Sequence, residues 1–170
     1  MLNAAVAELK GMKMPEDFET VVDIDVDAYV PATYIRSESQ KLDIYKRIAA
    51  ISNEEDLSDM LDELTDRFGD VPKSAHNLMK IALIKSVAHE AFVVEIKGDK
   101  KAIVIKMFAG AQIDPARIPP LVKAKGSSLR FTNDKVPYFT YYFSKDEVKN
   151  SENYIDAVKG VTEEILTLRV

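Results

Sequence analysis

With 170 residues, 46% of them hydrophobic and 30% charged, the chain is long enough for one well-formed globular core. The lack of cysteine excludes disulfide staples, thiolate zinc sites and thiol nucleophiles and fits a reducing, cytoplasmic setting; neither a membrane-length apolar run nor a secretory leader is found. The net charge of −5 is unevenly spread, with 10 Lys/Arg against 18 Asp/Glu in residues 1–90 and 13 against 10 in residues 91–170, so the first half would repel a phosphate backbone.

In chain order, Leu2, Val6 and Leu9 have helical spacing with no cap before them, which predicts a helix continuing from an upstream module through residue 11. Residues 20–26 alternate, with Val22, Ile24 and Val26 on one side and Val21, Asp23 and Asp25 on the other. That predicts a half-acidic strand at a sheet edge. Pro31 disfavours helix before it, so residues 27–35 should form an extended connector pinned by Tyr29 and Tyr34. Ser37 or Ser39 then caps a helix whose core positions are Ile44, Ile48 and Ile51, with Leu42, Tyr45 and Ala49 beside them and Lys46 and Arg47 outside. A second helix shows a stripe of Leu57, Leu61, Leu64 and Phe68, a Ser52/Glu55 capping box and a left-handed closing residue at Gly69. On its far face Glu63, Asp66 and Arg67 fall together.

Pro72 starts a third helix through about His89, apolar around nearly its whole circumference and therefore central. Residues 91–97 and 101–108 read as a hairpin about a Gly98 turn. Asp114-Pro115 opens a short helix that Gly126 ends, residues 129–131 and 137–143 form a second strand pair, and a last helix spans about 146–168. The sum is one α+β domain over residues 1–170: a strand plus helical lobe over 20–90, followed by a small antiparallel sheet with flanking helices over 91–170.

The sequence has no phosphate-binding loop and no dinucleotide fingerprint, so no cofactor and no catalysis are expected. His76 and His89 lie about 20 Å apart on one helix, too far to share a metal. Asp59, Asp62, Glu63 and Asp66 occupy a convex helix face, whereas acid–base work needs a pocket that separates carboxylate pKa values. For Glu63, Asp66 and Arg67 two readings stand: a solvated i,i+4 pair, or a docking face in which both signs of charge set register. Lys97, Lys100, Lys101, Lys106, Lys123, Lys125 and Arg130 form a basic segment with few acids, which leaves either a solvated face or a nucleic-acid contact.

Several words stand in a fixed order: Asp27-Ala-Tyr-Val-Pro31, Tyr34-Ile35, Gln40-Lys-Leu-Asp-Ile-Tyr-Lys-Arg-Ile48, Glu63-Leu-Thr-Asp-Arg-Phe-Gly-Asp-Val-Pro72 and Asn77-Leu-Met79. Together they resemble the C-terminal (TRCF) domain of bacterial transcription-repair coupling factors over residues 20–96, and residues 2–11 resemble the helix that precedes it. Lys41 replaces the family's usual Arg and loses a forked donor, Val30 replaces Ile, and the second half matches only in layout. The resemblance implies a piece of a large ATP-dependent DNA translocase that recognises stalled RNA polymerase and recruits nucleotide excision repair. It implies a regulatory, non-catalytic domain that packs on the parent's UvrB-like module and covers the surface that binds UvrA. The family's contact helix carries over to Glu63, Asp66 and Arg67, which favours the docking reading of those three residues.

Overall fold

A parallel return to the same sheet needs a long crossover, and three helices between the edge strand and its neighbour supply one in the first half of the molecule. The computed structural model describes residues 18–170; the expected helix at residues 2–11 lies outside them. Strand β1 (Val21–Asp23) leads to helices α1 (Glu38–Ala49), α2 (Glu54–Phe68) and α3 (Lys73–Glu90), which deliver the chain to β2 (Val93–Gly98) and β3 (Ala102–Met107). A 3-10 turn (Pro115–Arg117), α4 (Ile118–Lys125), β4 (Leu129–Thr132), β5 (Tyr138–Tyr142) and α5 (Ser151–Leu166) complete the fold. The five strands form one sheet in the order β1-β2-β3-β5-β4.

The fold is α+β as expected, but the sheet is mixed rather than wholly antiparallel. β1 pairs with β2 in parallel, placing Val21 beside Glu95 and Asp23 beside Lys97, while the other pairings are antiparallel. β1 does sit at the edge, and Val22, Ile24 and Val26 pack against the core while Val21 stays 52% exposed. It is shorter than the expected strand, because Val26 turns back to bond the Ile24 carbonyl at 3.0 Å.

Two hydrophobic clusters meet along α3. Ala75, Met79 and Leu83 join Ile44, Ile48, Ile51, Leu57, Met60 and Leu64 in a helical cluster. One turn on, Ile84 and Ala88 join Ile96, Ile105, Phe139, Tyr154 and Val158 in a cluster between the sheet and α5. A helix apolar on every side serves two cores at once, which confirms its central place.

Local corrections follow from the same packing. Met60, not Leu61, completes the fully buried row of α2 with Leu57 and Leu64; Leu61 and Phe68 are half-buried. Leu42 is 60% exposed instead of lying beside the core. Ser37 caps α1, accepting from the Gln40 amide at 3.3 Å. The box at the start of α2 is displaced by one residue: Asn53 accepts from the Asp56 amide at 2.8 Å, and Asp56 accepts in return from the Ser52 amide at 3.1 Å. Gly69 has the expected positive φ, 89°, but its ψ of −164° is not left-handed helical. Tyr34 pins the connector by donating to the Gly69 carbonyl at 2.8 Å and the Leu64 carbonyl at 3.1 Å, whereas the Tyr29 side chain is 51% exposed. The β2–β3 hairpin turns where Gly98 packs so closely on the Ala102 carbonyl that a Cβ would lie 2.2 Å from its oxygen. α5 begins five residues later than expected, with Asn150 as its cap, because Glu147 is occupied in bonds to the Tyr141 hydroxyl at 2.6 Å and the Ser144 amide at 2.8 Å. Among the described residues no helix is long and apolar enough to cross a membrane.

Candidate functional site

α2 turns Leu57, Met60 and Leu64 inward, so helical geometry presents the chain between them outward. Glu63 lies where α2 faces the last turn of α1, and two guanidinium groups converge on it. Arg47 donates to both of its carboxylate oxygens, at 2.5 Å each, and Arg67 donates to one of them at 2.9 Å. The two hydrogen bonds from Arg47, followed by the one from Arg67, lower the carboxyl pKa to about 2. Arg67 also lies over the Phe68 ring, 4.9 Å from its centroid, which fixes a long side chain at the helix end. Asp66 is exposed and takes no part in any ion pair among the described residues.

The three residues expected to act together therefore divide. Glu63 and Arg67 form the i,i+4 pair that spacing predicts, while Asp66 projects free beside them. Arg47 is the member that sequence reasoning placed only on the outer side of α1. Its signal was its place in the last turn of one helix with an acidic helix following; its pairing spans sixteen residues, and helical periodicity does not reach that far. Below these charges, Arg47, Ala50, Ile51, Asp56, Asp59, Met60 and Glu63 line a groove of about 330 Å³ between α1 and α2. Asp59, at the groove, and Asp62 and Asp66 are all exposed to solvent, unlike a carboxylate pair enclosed for proton transfer.

The other candidates are placed as follows. His89 stacks on Phe18 with ring centroids 4.5 Å apart, and its Nε2 lies 3.1 Å from the Phe18 carbonyl. His76 is half-buried, and burial, then the neighbouring Lys80, hold its imidazole below the ordinary range. No group of three metal-ligating side chains forms among the described residues. In the basic segment, Lys106 pairs with Glu95 at 3.2 Å, Lys125 with Glu164 at 2.6 Å, and the Arg130 guanidinium lies 5.6 Å from the centre of the Tyr142 ring. Lys97, Lys100, Lys101 and Lys123 are exposed. Lys41 reaches Glu38 through a single contact of 3.3 Å, where a guanidinium would offer two donors.

Residues 24–118, more than half of the chain and including the whole of α2, match the family model described as the TRCF domain. The chain belongs to the TRCF-domain family. Among its relatives, the transcription-repair-coupling factor of Bacillus subtilis is 40% identical over 121 residues, 69% of this chain and 10% of that protein. That of Staphylococcus epidermidis is 43% identical over 107 residues, 62% of this chain and 9% of that protein. This TRCF domain thus spans about a tenth of the length of the curated relatives it matches. A crystal structure of the C-terminal domain of transcription-repair coupling factor aligns with a TM-score of 0.68 at 23% identity, covering 88% of this chain and 92% of that one, and establishes the shared fold.

Proposed function

We propose that this TRCF domain is a non-catalytic regulatory element of a transcription-repair coupling factor, an ATP-dependent DNA translocase that acts in DNA repair. In the resting parent it packs on the UvrB-like module through the outer face of α2 and covers the surface that binds UvrA. Engagement of stalled RNA polymerase elsewhere in the parent favours the open arrangement. The observation that carries the reading is the charge arrangement on α2. Glu63 is neutralised within the chain by Arg47 and Arg67, so its task is to hold Arg67 in place, while Arg67 and Asp66 offer opposite charges side by side to a partner.

A rigid pair of opposite charges at a solvated rim sets register without binding tightly, and this suits a contact that must be released. A closed state favoured by a few kcal/mol can be overcome by the binding free energy of polymerase and DNA; a much tighter clamp could not. The test is UvrA capture by the intact parent carrying Asp66→Ala or Arg67→Ala. UvrA binding is expected to rise, with the domain still folded by circular dichroism. Unchanged capture by a folded variant rejects the α2 contact. Salt-dependent DNA binding by the isolated chain would instead favour a nucleic-acid role for the basic 97–130 segment.

A further inference from the structure

The edge strand and the helical lobe leave a second feature that shares no residue with the charged row of Glu63, Asp66 and Arg67. Between β1, α1 and α3 runs an apolar groove of about 300 Å³ lined by Val21, Val22, Tyr45, Ile48, Leu78 and Ile81. It shares Ala49, Ala82 and Lys85 with an adjoining cleft of about 390 Å³ that extends to Ser86 and His89. Two of the most exposed large apolar side chains flank it: Val21 at 52% and Leu42 at 60%. Leu42 stands three residues before Tyr45 and seven before Ala49, so it lies on the face of α1 that lines the groove. The outer edge of β1 pairs with no strand among the described residues. Backbone donors and acceptors on a free edge, next to an apolar trough, form the arrangement that accepts an added strand.

The charges at the rim specify what that strand must carry. Glu19, Asp23 and Asp25 are exposed along the β1 segment and Glu90 lines the adjoining cleft; Lys85 lines both grooves and Lys97 stands beside Asp23 on β2, so these four carboxylates outnumber those two cations. A second copy of this chain would bring the same carboxylates together edge to edge, which like-charge repulsion opposes. An incoming strand with alternating apolar residues would place one row in the groove and the other toward solvent, where Lys or Arg would meet the acidic rim. We propose that the β1 edge and the α1–α3 groove dock an extended partner segment of alternating apolar and basic residues, adding a sixth strand to the sheet. The surface is distinct from the α2 face, so both contacts can form at once.

The test begins with panning a display library of random peptides, about twelve residues long, on the 170-residue chain. A selected peptide is then titrated into isotope-labelled protein and followed by amide shifts. The expected result is a period-2 apolar consensus interleaved with Lys or Arg, with saturable shifts at Val21, Val22 and Asp23. Ala49→Arg, which fills the groove with a cation at the C-terminal end of α1 where its charge is tolerated, should weaken the peptide Kd at least tenfold. Leu42→Ser, on an exposed helix position, serves as a second variant and should weaken binding in the same direction. Recovery of no peptide, a helical-period or acidic consensus, shifts confined to other elements, or an affinity unchanged in both variants would each overturn the proposal. So would a concentration-dependent dimer paired through β1 in sedimentation, which would make a second copy the occupant.

Discussion

The two hydrophobic clusters that share α3 are built differently. On the sheet side, Ile96, Ile103, Ile105, Phe139, Tyr154 and Val158 are all 0% exposed and enclosed between strands and α5. On the helical side the core is buried as well, with Leu57 at 8% and Met60 at 6%, but grooves reach its edge at Met60 and at Ile48. Charged bridges on that side span elements: Arg47 of α1 clamps Glu63 of α2, and Lys159 of α5 reaches Glu54 of α2. The difference teaches a division of labour. A sheet closed on its inner face makes a rigid scaffold, while three helices packed against its edge leave the exposed faces and grooves that a partner can use.

Truncation of the two cores should expose that difference most sharply. Phe139→Ala removes a ring at the centre of the sheet cluster and should cost about 3–5 kcal/mol. Met60→Ala, beside an open groove, should cost about 2 kcal/mol. Denaturant titration of both variants checks the order; a Met60 loss equal to or above that of Phe139 would contradict the division.

Removing the α2 cap by Asn53→Ala should cost about 1 kcal/mol. Amide exchange should then speed up in the first turn of α2 and leave β3 and β5 unaffected.

The Glu63 clamp should appear as a pH dependence confined to the acid range. Because the folded pKa is lowered to about 2, the unfolded state binds more protons at this carboxyl between that value and its ordinary range. The clamp's stabilisation is therefore complete above the ordinary carboxylate range and is lost as pH falls toward 2. Since a third of the side chain faces solvent, the effect should stay below about 1 kcal/mol. Subtracting the acid-range stability profile of Glu63→Gln from that of the parent isolates it; identical slopes would show that the clamp does not act in solution.

The smallest expected effect on stability, within about 0.5 kcal/mol, belongs to Asp66→Ala, whose side chain is exposed and unpaired among the described residues. Its measurable consequence should lie in UvrA capture instead. A large loss of stability would mean that Asp66 supports the fold and does not act as a contact.

Residues whose partners are near in sequence were legible before the fold was known. Helical spacing was enough to identify the buried Ile44 and Ile48, the all-round apolar α3, and the Glu63–Arg67 pair. Two β-rich runs about Gly98 located the β2–β3 hairpin, and period-2 alternation located the edge strand, because a side chain's face follows from the backbone repeat. Contacts across long stretches of chain were not legible. The parallel pairing of β1, the Arg47 clamp and the exposure of Leu42 beside a groove all depend on where separate elements come to rest. Phe92 is a further case: fully buried between α3 and β2, it adopts a φ of 64° that an isolated Phe disfavours. Its burial and the Arg169 guanidinium over its ring hold it there. The sequence by itself determined the order and type of the helices and strands, since those follow from local sterics and periodicity; tertiary structure alone decided which faces met and which side chains at their margins were buried, because that choice belongs to the packing of the whole chain.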